Sequence, residues 1–356
     1  MAKTVVVGMS GGVDSSVAAL LLKKQGYDVI GLFMHNWQET EENGCCTAEQ
    51  DYTDVRRVCS AIGIPYYTVD FSKEYNDNVF SHFLSEYALG RTPNPDVLCN
   101  REIKFGVFRD YASKIGADYI ATGHYCGITK KDGRTFLSRA ADENKDQTYF
   151  LNQVTEKQIE NVLFPLSDFA DKNAVRRIAE ENGLITARKK DSTGVCFIGE
   201  RNFRKFLSQY IPMKEGEIRT LDGQVVGKHK GVFFYTLGQH KGFGVGGVAG
   251  QDNALPWYII KKDVKNNVLY VNQGETDELY SSSLVTEKFN FITETVPEGD
   301  VLVRIRHRQP LQKAHFSLLP DGGVRVDFAE KQRAVAPGQY CVLYDDRICL
   351  GGGVIL

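Results

Sequence analysis

Along the first third of the chain, apolar runs alternate with stretches of helical periodicity. The runs Thr4–Gly8 and Val29–Met34 are apolar and rich in β-branched residues, as buried strands are. Between them, apolar side chains recur at the spacing of one helix face, up to Gly26: Val13, Val17, Ala18, Leu21 and Leu22. The alternation continues as helix, strand, helix and strand at Ala48–Ile62, Tyr66–Phe71, Asn100–Ile115 and Tyr119–Thr122. Repeated strand–helix units predict an α/β domain with a parallel, doubly wound sheet that binds ligands at the carboxyl ends of its strands.

From about residue 205 the pattern changes to short strands between glycine-rich turns. Asp222-Gly223 and Gly242–Gly250 are two of these turns. The strands predicted in this part are Trp257–Ile260, Val268–Val271, Val301–Ile305 and Val324–Phe328. Such spacing is typical of small all-β barrels, and a break near Ser281–Ser283 divides two of them. We therefore predict an α/β domain at 1–204, a central β domain at 205–280 and a C-terminal β-barrel at 281–356.

Composition restricts the class of protein. The 356 residues are 42% hydrophobic and 25% charged, as in ordinary globular proteins. No run approaches the roughly 18 apolar residues of a membrane span. Met1-Ala2-Lys3 leads straight into the first predicted strand and resembles no secretory leader. We therefore expect a cytoplasmic protein with no membrane partner.

The net charge of −2 conceals an uneven distribution. Residues 1–100 carry 7 Lys and Arg against 13 Asp and Glu, whereas residues 188–241 carry 11 against 5 and residues 301–333 carry 7 against 3. Basic segments are the electrostatic footprint expected for a polyanion such as RNA. A solvated surface of mixed charge is the alternative for either segment taken alone.

The chain has eight cysteines, and no two are spaced as CxxC, which excludes zinc ribbons and thioredoxin-like motifs. Structural disulfides are rare in a reducing compartment, so we expect most of these thiols to be small core residues. Cys45, Cys46 and Cys59 match no standard metal spacing and receive no role. Cys341 and Cys349 lie in the β-rich tail, where we expect them to be buried.

The sharpest motif is GMSGGVDSS at residues 8–16, between the first predicted strand and the first predicted helix. Glycines let the main chain approach a ligand closely, and a helix N-terminus offers N–H donors that suit phosphate. The motif is neither a Walker loop nor a GxGxxG fingerprint. Asp14 would help Mg²⁺ to neutralise the phosphates. The alternative is an ordinary capping turn with Ser10 or Asp14 at the N-cap.

Two cysteines lie in loops whose surroundings suggest chemistry. Cys99 follows a loop with two prolines and is predicted to lie just before a helix capped by Asn100, whose dipole would favour the thiolate. Asp96 is a candidate acid or base if it faces the same site. Cys196 lies in a Ser-, Thr- and Gly-rich loop after a basic run at 188–190, which also favours the thiolate. The alternative is that Asp96 and Asn100 only cap the chain and that Cys99 is packed.

These motifs resemble those of known enzymes. SGGVDS resembles the pyrophosphatase loop of enzymes that split ATP into AMP and pyrophosphate, whose fold is an adenine-nucleotide α-hydrolase-like sheet. Over its whole length the chain resembles the bacterial tRNA-specific 2-thiouridylases. The matching segments are GMSGGVDSS (8–16), TPNPDVLCNREIKF (92–105), TGHY (122–125), KDQTYFL (145–151), DSTGVCFIG (191–199), TLGQHKGFGVGG (236–247) and PGQYCVLYD (337–345).

The resemblance implies a set of site residues. ATP would be bound by Gly8, Met9, Ser10, Gly11, Gly12, Val13, Asp14, Ser15, Met34 and Gly123. The target base would be met by Asn94, Pro95 and Asp96. The other tRNA contacts would be His124, Asp146, Gln147, Thr148, His307, Arg308 and Gln339. Cys99 would be the nucleophile and Cys196 the persulfide carrier, with a transient Cys99–Cys196 disulfide, and Asp96 would assist. Small departures from the family, at His240, Cys126 and His307, leave individual RNA contacts open.

The implied reaction is 2-thiolation of the wobble uridine (position 34) of the tRNAs for Lys, Glu and Gln. ATP with Mg²⁺ would adenylate the C2 oxygen. A sulfur-carrier protein or cysteine desulfurase would load a persulfide onto Cys196, and its sulfur would displace AMP. The base would leave its stack, and the basic β domains would hold the RNA backbone.

Other classes stay open from the residues alone. An ATP-pyrophosphatase ligase or amidotransferase would use the same loop without needing Cys99 and Cys196. A non-catalytic RNA-binding protein would retain the loop without turnover. Asp96, Cys99 and Cys196 would also suit an iron–sulfur cluster. We prefer the persulfide because only two cysteines are placed to act.

Overall fold

The computed structural model describes residues 2–37, 47–190, 203–245 and 255–356. Its helices are α1 (Val13–Lys24), α2 (Thr47–Ile62), α3 (Ser72–Tyr75), α4 (Ser81–Ala88), α5 (Pro95–Leu98), α6 (Phe108–Lys114), α7 (Glu156–Ile159), α8 (Lys172–Glu181) and α9 (Phe203–Leu207). Two π-helical segments occupy Asn76–Phe80 and Cys99–Val107. Short 3₁₀ turns lie at Thr148–Leu151, Ile185–Arg188, Val232–Phe234 and Asp277–Leu279.

The strands of the first half are β1 (Thr4–Met9), β2 (Asp28–His35), β3 (Tyr66–Asp70), β4 (Tyr119–Ala121), β5 (Cys126–Lys131), β6 (Arg134–Arg139) and β7 (Val162–Leu163). Those of the second half are β8 (Gly216–Arg219), β9 (Val225–His229), β10 (Gly244–Val245), β11 (Trp257–Asp263), β12 (Val268–Gln273), β13 (Tyr280–Val285), β14 (Asn290–Phe291), β15 (Gly299–Arg304), β16 (Gln312–Leu318), β17 (Val324–Arg333), β18 (Tyr340–Asp345) and β19 (Ile348–Val354).

The N-terminal sheet is parallel, in the order β3-β2-β1-β4-β7. Side chains of its central strand alternate between two buried faces. Val6 packs with Leu32 and Phe108 on one face, and Val5 packs with Val55 of α2 on the other. Because both faces are covered, the buried positions of β1 after Thr4 carry no polar side chain, which explains the apolar run of this strand. The predicted doubly wound α/β fold is confirmed.

Two sheets follow, as predicted for an all-β second half. The first has the order β10-β9-β8-β12-β11, with β8 and β12 parallel and the other pairs antiparallel. The second is antiparallel in the order β13-β17-β16-β15-β18-β19-β6-β5, with β14 also pairing with β19. Among the described residues, no helix is long and apolar enough to cross a membrane.

One hairpin of the first half belongs to the last sheet. β6 pairs with β19 at Ser138 and Ile348. Around this bridge, the Arg139 N–H donates to the Arg347 carbonyl at 2.8 Å, and the Arg347 guanidinium donates to the Arg139 carbonyl at 2.7 Å. The C-terminal sheet therefore includes strands from 126–139, which the sequence pattern did not indicate. The boundaries at 204 and 280 stay predictions.

Candidate active site

The loop between β1 and α1 is held in shape by its own serines. The Ser10 N–H donates to Ser15 Oγ at 3.1 Å, and the Gly12 N–H donates to Ser10 Oγ at 3.3 Å. The hydroxyls of Ser15 and Ser16 donate to the Gly12 carbonyl at 3.2 and 2.8 Å. Gly12 is the N-cap of α1, and no side chain caps the helix there, so neither Ser10 nor Asp14 has the capping role of the alternative reading. We call residues 8–16, which are predicted to bind ATP, the ATP loop.

Glycines and one methionine bring three chain segments together at the carboxyl ends of the strands. Gly11 has a φ of 73°, in the left-handed region that favours glycine. A Cβ on Gly123, just after β4, would lie 2.6 Å from the Ser15 nitrogen. A Cβ on Gly8 would lie 3.4 Å from the Met34 methyl carbon. The predicted ATP residues of the loop, β2 and the end of β4 therefore meet at one edge of the sheet.

Asp14 is half-buried and has two side-chain partners from distant segments. Tyr125 Oη donates to Asp14 Oδ1 at 2.9 Å, and Lys172 Nζ of α8 donates to Asp14 Oδ2 at 2.9 Å. A carboxylate at a helix N-terminus is a fitting ligand for Mg²⁺ bound to nucleotide phosphates. Sequence reasoning missed both partners. Tyr125 had a signal, because it closes the TGHY segment, whereas Lys172 had none.

Lys189 ties the ATP loop to α2. Its Nζ donates to the Gly11 carbonyl at 3.0 Å, to Asp51 Oδ1 at 2.7 Å and to Asp54 Oδ2 at 2.6 Å. Burial lowers the pKa of Lys189, but the bonds to Asp51 and Asp54 outweigh it and leave the pKa raised. From the sequence, this lysine was only part of a basic run. In the structure, the Lys189 ammonium group links the ATP loop at Gly11 to two carboxylates of α2.

His124 lies buried beside the ATP loop, between Phe105 and Phe164. Its Nδ1 and Thr122 Oγ1 are 2.7 Å apart and share a hydrogen bond. Burial, and then the charge of Lys104, hold the pKa of His124 well below its usual value, so the ring is neutral at pH 7. A neutral, buried imidazole can donate or accept one hydrogen bond at a bound ligand.

The segment with Cys99 differs from the prediction. The helical run begins at Pro95, continues through Cys99–Val107 with a kink at Gly106, and ends with α6. Cys99 therefore lies inside the run and not before its N-terminus. Asn94 occupies the N-cap position and Pro95 the first helical position, which proline favours. Asn100 is not a cap, because its Nδ2 donates to the Phe150 carbonyl at 3.0 Å. The predicted dipole effect on Cys99 therefore loses its geometric basis.

The two candidate catalytic residues of this segment, Cys99 and Asp96, differ in how far they are buried. Cys99 is fully buried, and Asp96 is half-buried. Burial raises the pKa of Asp96 above its usual value, against the opposing charge of Lys104. A π-helical segment such as Cys99–Val107 is frequent at functional sites. Cys196 lies outside the described residues, and so does its pairing with Cys99.

Three cysteines without an expected role follow the prediction. Cys59, Cys341 and Cys349 are buried, and burial raises the pKa of each thiol. Cys45 and Cys46 lie outside the described residues. Across the described residues, no three His, Cys, Asp or Glu side chains lie together as a metal site would require.

Asp146, expected to contact tRNA, has a buried carboxylate. Arg304 Nη1 donates to its Oδ2 at 2.6 Å, and Thr148 Oγ1 donates to Oδ1 and Oδ2 at 3.0 and 2.9 Å. Arg139 Nε lies 3.9 Å from the same carboxylate. We call Asp146, Thr148, Arg139 and Arg304 the seam cluster, because it joins the first half of the chain to β15. In this conformation its side chains face the protein and not solvent.

The remaining expected tRNA residues are more accessible. Arg308 is exposed, and Gln147, His307 and Gln339 are half-buried. His307 Nε2 donates to the Asp146 carbonyl at 3.1 Å, and its ring lies 4.3 Å from that of Phe150. Gln147 Oε1 accepts from the Tyr125 N–H at 2.9 Å. The structure thus brings His307 and Gln147 to the seam cluster and leaves Arg308 free of it.

Models of known families match three successive stretches of the chain. The model described as "tRNA methyl transferase HUP domain" matches residues 3–200. The "tRNA methyl transferase PRC-barrel domain" matches residues 204–273, and the "Aminomethyltransferase beta-barrel domain" matches residues 281–355.

Curated relatives match the chain from end to end. The tRNA-specific 2-thiouridylase MnmA 2 of Geobacillus kaustophilus is 56% identical over 354 residues, which cover 99% of this chain and 94% of that protein. The enzymes of Lysinibacillus sphaericus and Staphylococcus aureus are 55% and 54% identical, with 99% of this chain and 93% and 94% of theirs covered. Such identity over full length, on a sheet with an ATP loop at its edge, shows that the chain belongs to the tRNA-specific 2-thiouridylases.

Proposed function

We propose that this chain replaces the C2 oxygen of the tRNA wobble uridine with sulfur, after activating that oxygen with ATP. As a member of this family, the chain is a tRNA sulfurtransferase. The observation that carries the mechanistic proposal is the meeting of the ATP loop, Gly123 and His124 beside the helical run that starts at Pro95. Nucleotide, base loop and thiol would then share one edge of the sheet. We also propose a cytoplasmic location.

In the first step, the C2 oxygen of the uridine attacks the α-phosphorus of ATP and pyrophosphate leaves. The α1 N-terminus and the hydroxyls of Ser10 and Ser15 would hold the phosphates. Mg²⁺, held by Asp14, would neutralise negative charge on them. Asn94, Pro95 and Asp96 would hold the base, and Asp96 would take the uridine N3 proton as the C2 oxygen becomes a nucleophile.

In the second step, sulfur replaces the adenylate. A cysteine desulfurase or a sulfur-carrier protein would leave a persulfide on Cys196. Its terminal sulfur attacks C2, Cys99 attacks the inner sulfur, and AMP leaves. The S–S bond of the persulfide breaks as the Cys99–Cys196 disulfide forms, and an external thiol reductant restores both cysteines. Because Cys99 is buried, this step requires the Pro95 segment to move when RNA binds.

We propose the RNA contacts from the solvent exposure of the predicted tRNA-binding side chains. Arg308 can reach a phosphate directly, and Gln339, Gln147 and His307 present polar groups from half-buried positions. Asp146 and Thr148 would act on RNA only by holding His307 and Gln147 in place. His124 would contact the tRNA as a neutral ring.

Thiolation of an unmodified tRNA transcript, resolved on a mercury gel, tests the proposal. The sulfur source is a cysteine desulfurase with cysteine, and ATP, Mg²⁺ and a thiol reductant are present. We expect ATP-dependent sulfur incorporation that falls at least about a thousandfold in Cys99→Ser and Cys196→Ser. Cys341→Ala, a buried cysteine of β18, is the matched control and should retain activity.

Two outcomes would contradict parts of the proposal. ATP cleavage without thiolated RNA would indicate the ligase class and reduce the cysteines to packing. Activity that disappears on iron chelation, with both cysteines still required, would indicate an iron–sulfur cluster in place of the persulfide.

A further inference from the structure

An open cleft lies where the C-terminal sheet and the central β domain meet the loop that begins at Thr92. Its volume is about 330 Å³. Six of the side chains that line it can donate hydrogen bonds: Thr92, Thr236, Gln239, Arg306, Arg333 and Gln339. None of the described residues that line it is acidic, and none belongs to the ATP loop. A cationic cleft rich in donors fits an anion better than an apolar ligand.

The two arginines differ in how their charge is balanced. Arg306 is exposed, and the described hydrogen-bond partners of its guanidinium are two neutral carbonyls, of Ala334 at 2.7 Å and of Arg333 at 3.5 Å. Arg333 Nε pairs with Glu275 at 2.9 Å, and its guanidinium lies 4.9 Å from the centre of the Tyr258 ring. Packing against protein, and then the charge of Arg333, lower the pKa of Arg306. Among the described contacts of these side chains, one carboxylate thus balances two guanidinium groups, which leaves one positive charge for a ligand.

One wall of the cleft is continuous with the loop proposed to hold the target base. Gln339 Nε2 donates to the Thr92 carbonyl at 2.7 Å, and the Thr92 N–H donates to the Pro337 carbonyl at 2.8 Å. These two bonds fix the start of the loop against the C-terminal sheet. Only Pro93 separates Thr92 from residues 94–96, so an RNA strand whose base reaches these residues carries its backbone close to the cleft.

We infer that this cleft binds a backbone phosphate of the RNA adjacent to the target nucleotide, with Arg306 and Arg333 as its ligands. The inference rests on the proposed function, because it takes the RNA's base to enter the neighbouring loop. A guanidinium can hold two phosphate oxygens in a fixed orientation, which an ammonium cannot. The contact would position the strand without reading its sequence.

Binding of an anticodon stem–loop RNA across a range of KCl concentrations tests this. We expect Arg306→Gln and Arg333→Gln each to weaken binding about tenfold and to reduce the slope of log Kd against log salt by about one. Arg325→Gln is the matched control, because Arg325 lies on the same strand, β17, and is an exposed arginine paired with Asp327 at 2.6 Å. It should change Kd by no more than about twofold.

A second experiment uses the wild-type protein, so it does not depend on the variants' folding. The phosphates flanking the wobble nucleotide are replaced one at a time by neutral methylphosphonates. At one position, wild type should lose about as much affinity as Arg306→Gln does, and Arg306→Gln should lose nothing further.

The outcomes separate the inference from the proposed function. Wild-type thiolation together with unchanged RNA affinity and salt slope in both arginine variants would overturn only the inference. Failure of the wild type to thiolate tRNA would overturn the proposed function instead. If Arg306→Gln altered only competition by inorganic phosphate or pyrophosphate, the cleft would bind a free anion and the assignment to RNA would be wrong.

Discussion

The ATP loop and the seam cluster both contain several polar side chains, but the hydrogen-bond partners of these side chains differ. Ser10 of the ATP loop is exposed and bonds within its own segment, at the open edge of the sheet. In the seam cluster, Asp146 and Arg304 are 1% and 4% exposed, and they bond each other across 158 residues of chain. A polar group at an open edge exchanges water for ligand at small cost, whereas a buried ion pair that loses one partner is left with an unpaired charge. The first arrangement suits binding and the second suits structure.

The two regions are nevertheless joined by a short run of hydrogen bonds. Tyr125 Oη donates to Asp14 of the ATP loop, and the Tyr125 N–H donates to Gln147, which follows Asp146 in the chain. Tyr125 thus bonds both to the ATP loop and to the residue that follows Asp146 of the seam cluster.

The largest expected effect comes from removing the charge of Asp146. Asp146→Asn would leave the buried guanidinium of Arg304 without its carboxylate, and we expect the free energy of unfolding to fall by about 3–5 kcal/mol. Urea denaturation measures it. Asp300→Asn is the control, because that carboxylate is exposed and pairs with His315 at the surface, so a change within about 0.5 kcal/mol is expected. If Asp146→Asn had normal stability but weakened tRNA binding, Asp146 would be an RNA ligand. The structural role of the seam cluster would then be wrong.

The second-largest expected effect comes from adding a methyl group beside the ATP loop, in Gly123→Ala, which should weaken the binding of ATP. The Cβ of Gly123→Ala would lie 2.6 Å from the Ser15 nitrogen and 2.8 Å from the Asp14 carbonyl carbon, so the start of α1 must shift. We expect the KM for ATP to rise about ten- to a hundredfold, because displaced N–H donors no longer match the phosphates. Gly299→Ala, where an added Cβ meets nothing within 4 Å, is the control. An unchanged KM in Gly123→Ala would show that nucleotide does not bind at this junction.

A smaller effect concerns Cys99, which the proposed chemistry needs and the structure buries. We expect iodoacetamide to modify Cys99 at least about tenfold more slowly in the free enzyme than in the enzyme with tRNA and a non-hydrolysable ATP analogue. Peptide mass spectrometry with time gives both rates. Cys341, buried in β18, should stay protected in both states. Rapid modification of Cys99 in the free enzyme would show that the thiol needs no rearrangement to react.

The comparison also explains what the sequence could predict. The ATP loop is a local motif between a strand and a helix, so its residues and its edge of the sheet followed from the pattern. The fold class, predicted from the alternation of strands and helices, is confirmed. The family and the class of reaction, which the resemblance of seven segments implied, are confirmed as well. The seam cluster could not be found, because Asp146 and Arg304 meet only after β6 joins β19. The helix start at Pro95 was missed because Asn100 offered an equally good cap in the sequence, and only packing chooses between them.

The smallest expected effect is a pH dependence of stability that arises in the binding region itself. Burial keeps His124 neutral in the fold, whereas in the unfolded chain it titrates near its ordinary value of about 6.5. As the pH falls below that value, the unfolded chain binds a proton that folded His124 does not, so stability is lost, by at most about 1.4 kcal/mol per pH unit for this residue. His229 and His307, whose pKa values burial also lowers, add slopes of the same sign. We would measure the free energy of unfolding by urea denaturation between pH 5 and 7.5. The slope of this free energy against pH should be shallower for His124→Gln than for wild type. The slope that remains in the variant includes the contributions of His229 and His307. Equal slopes would mean that His124 accepts the proton in the fold, and a charged imidazole would then lie beside the ATP loop as a phosphate ligand.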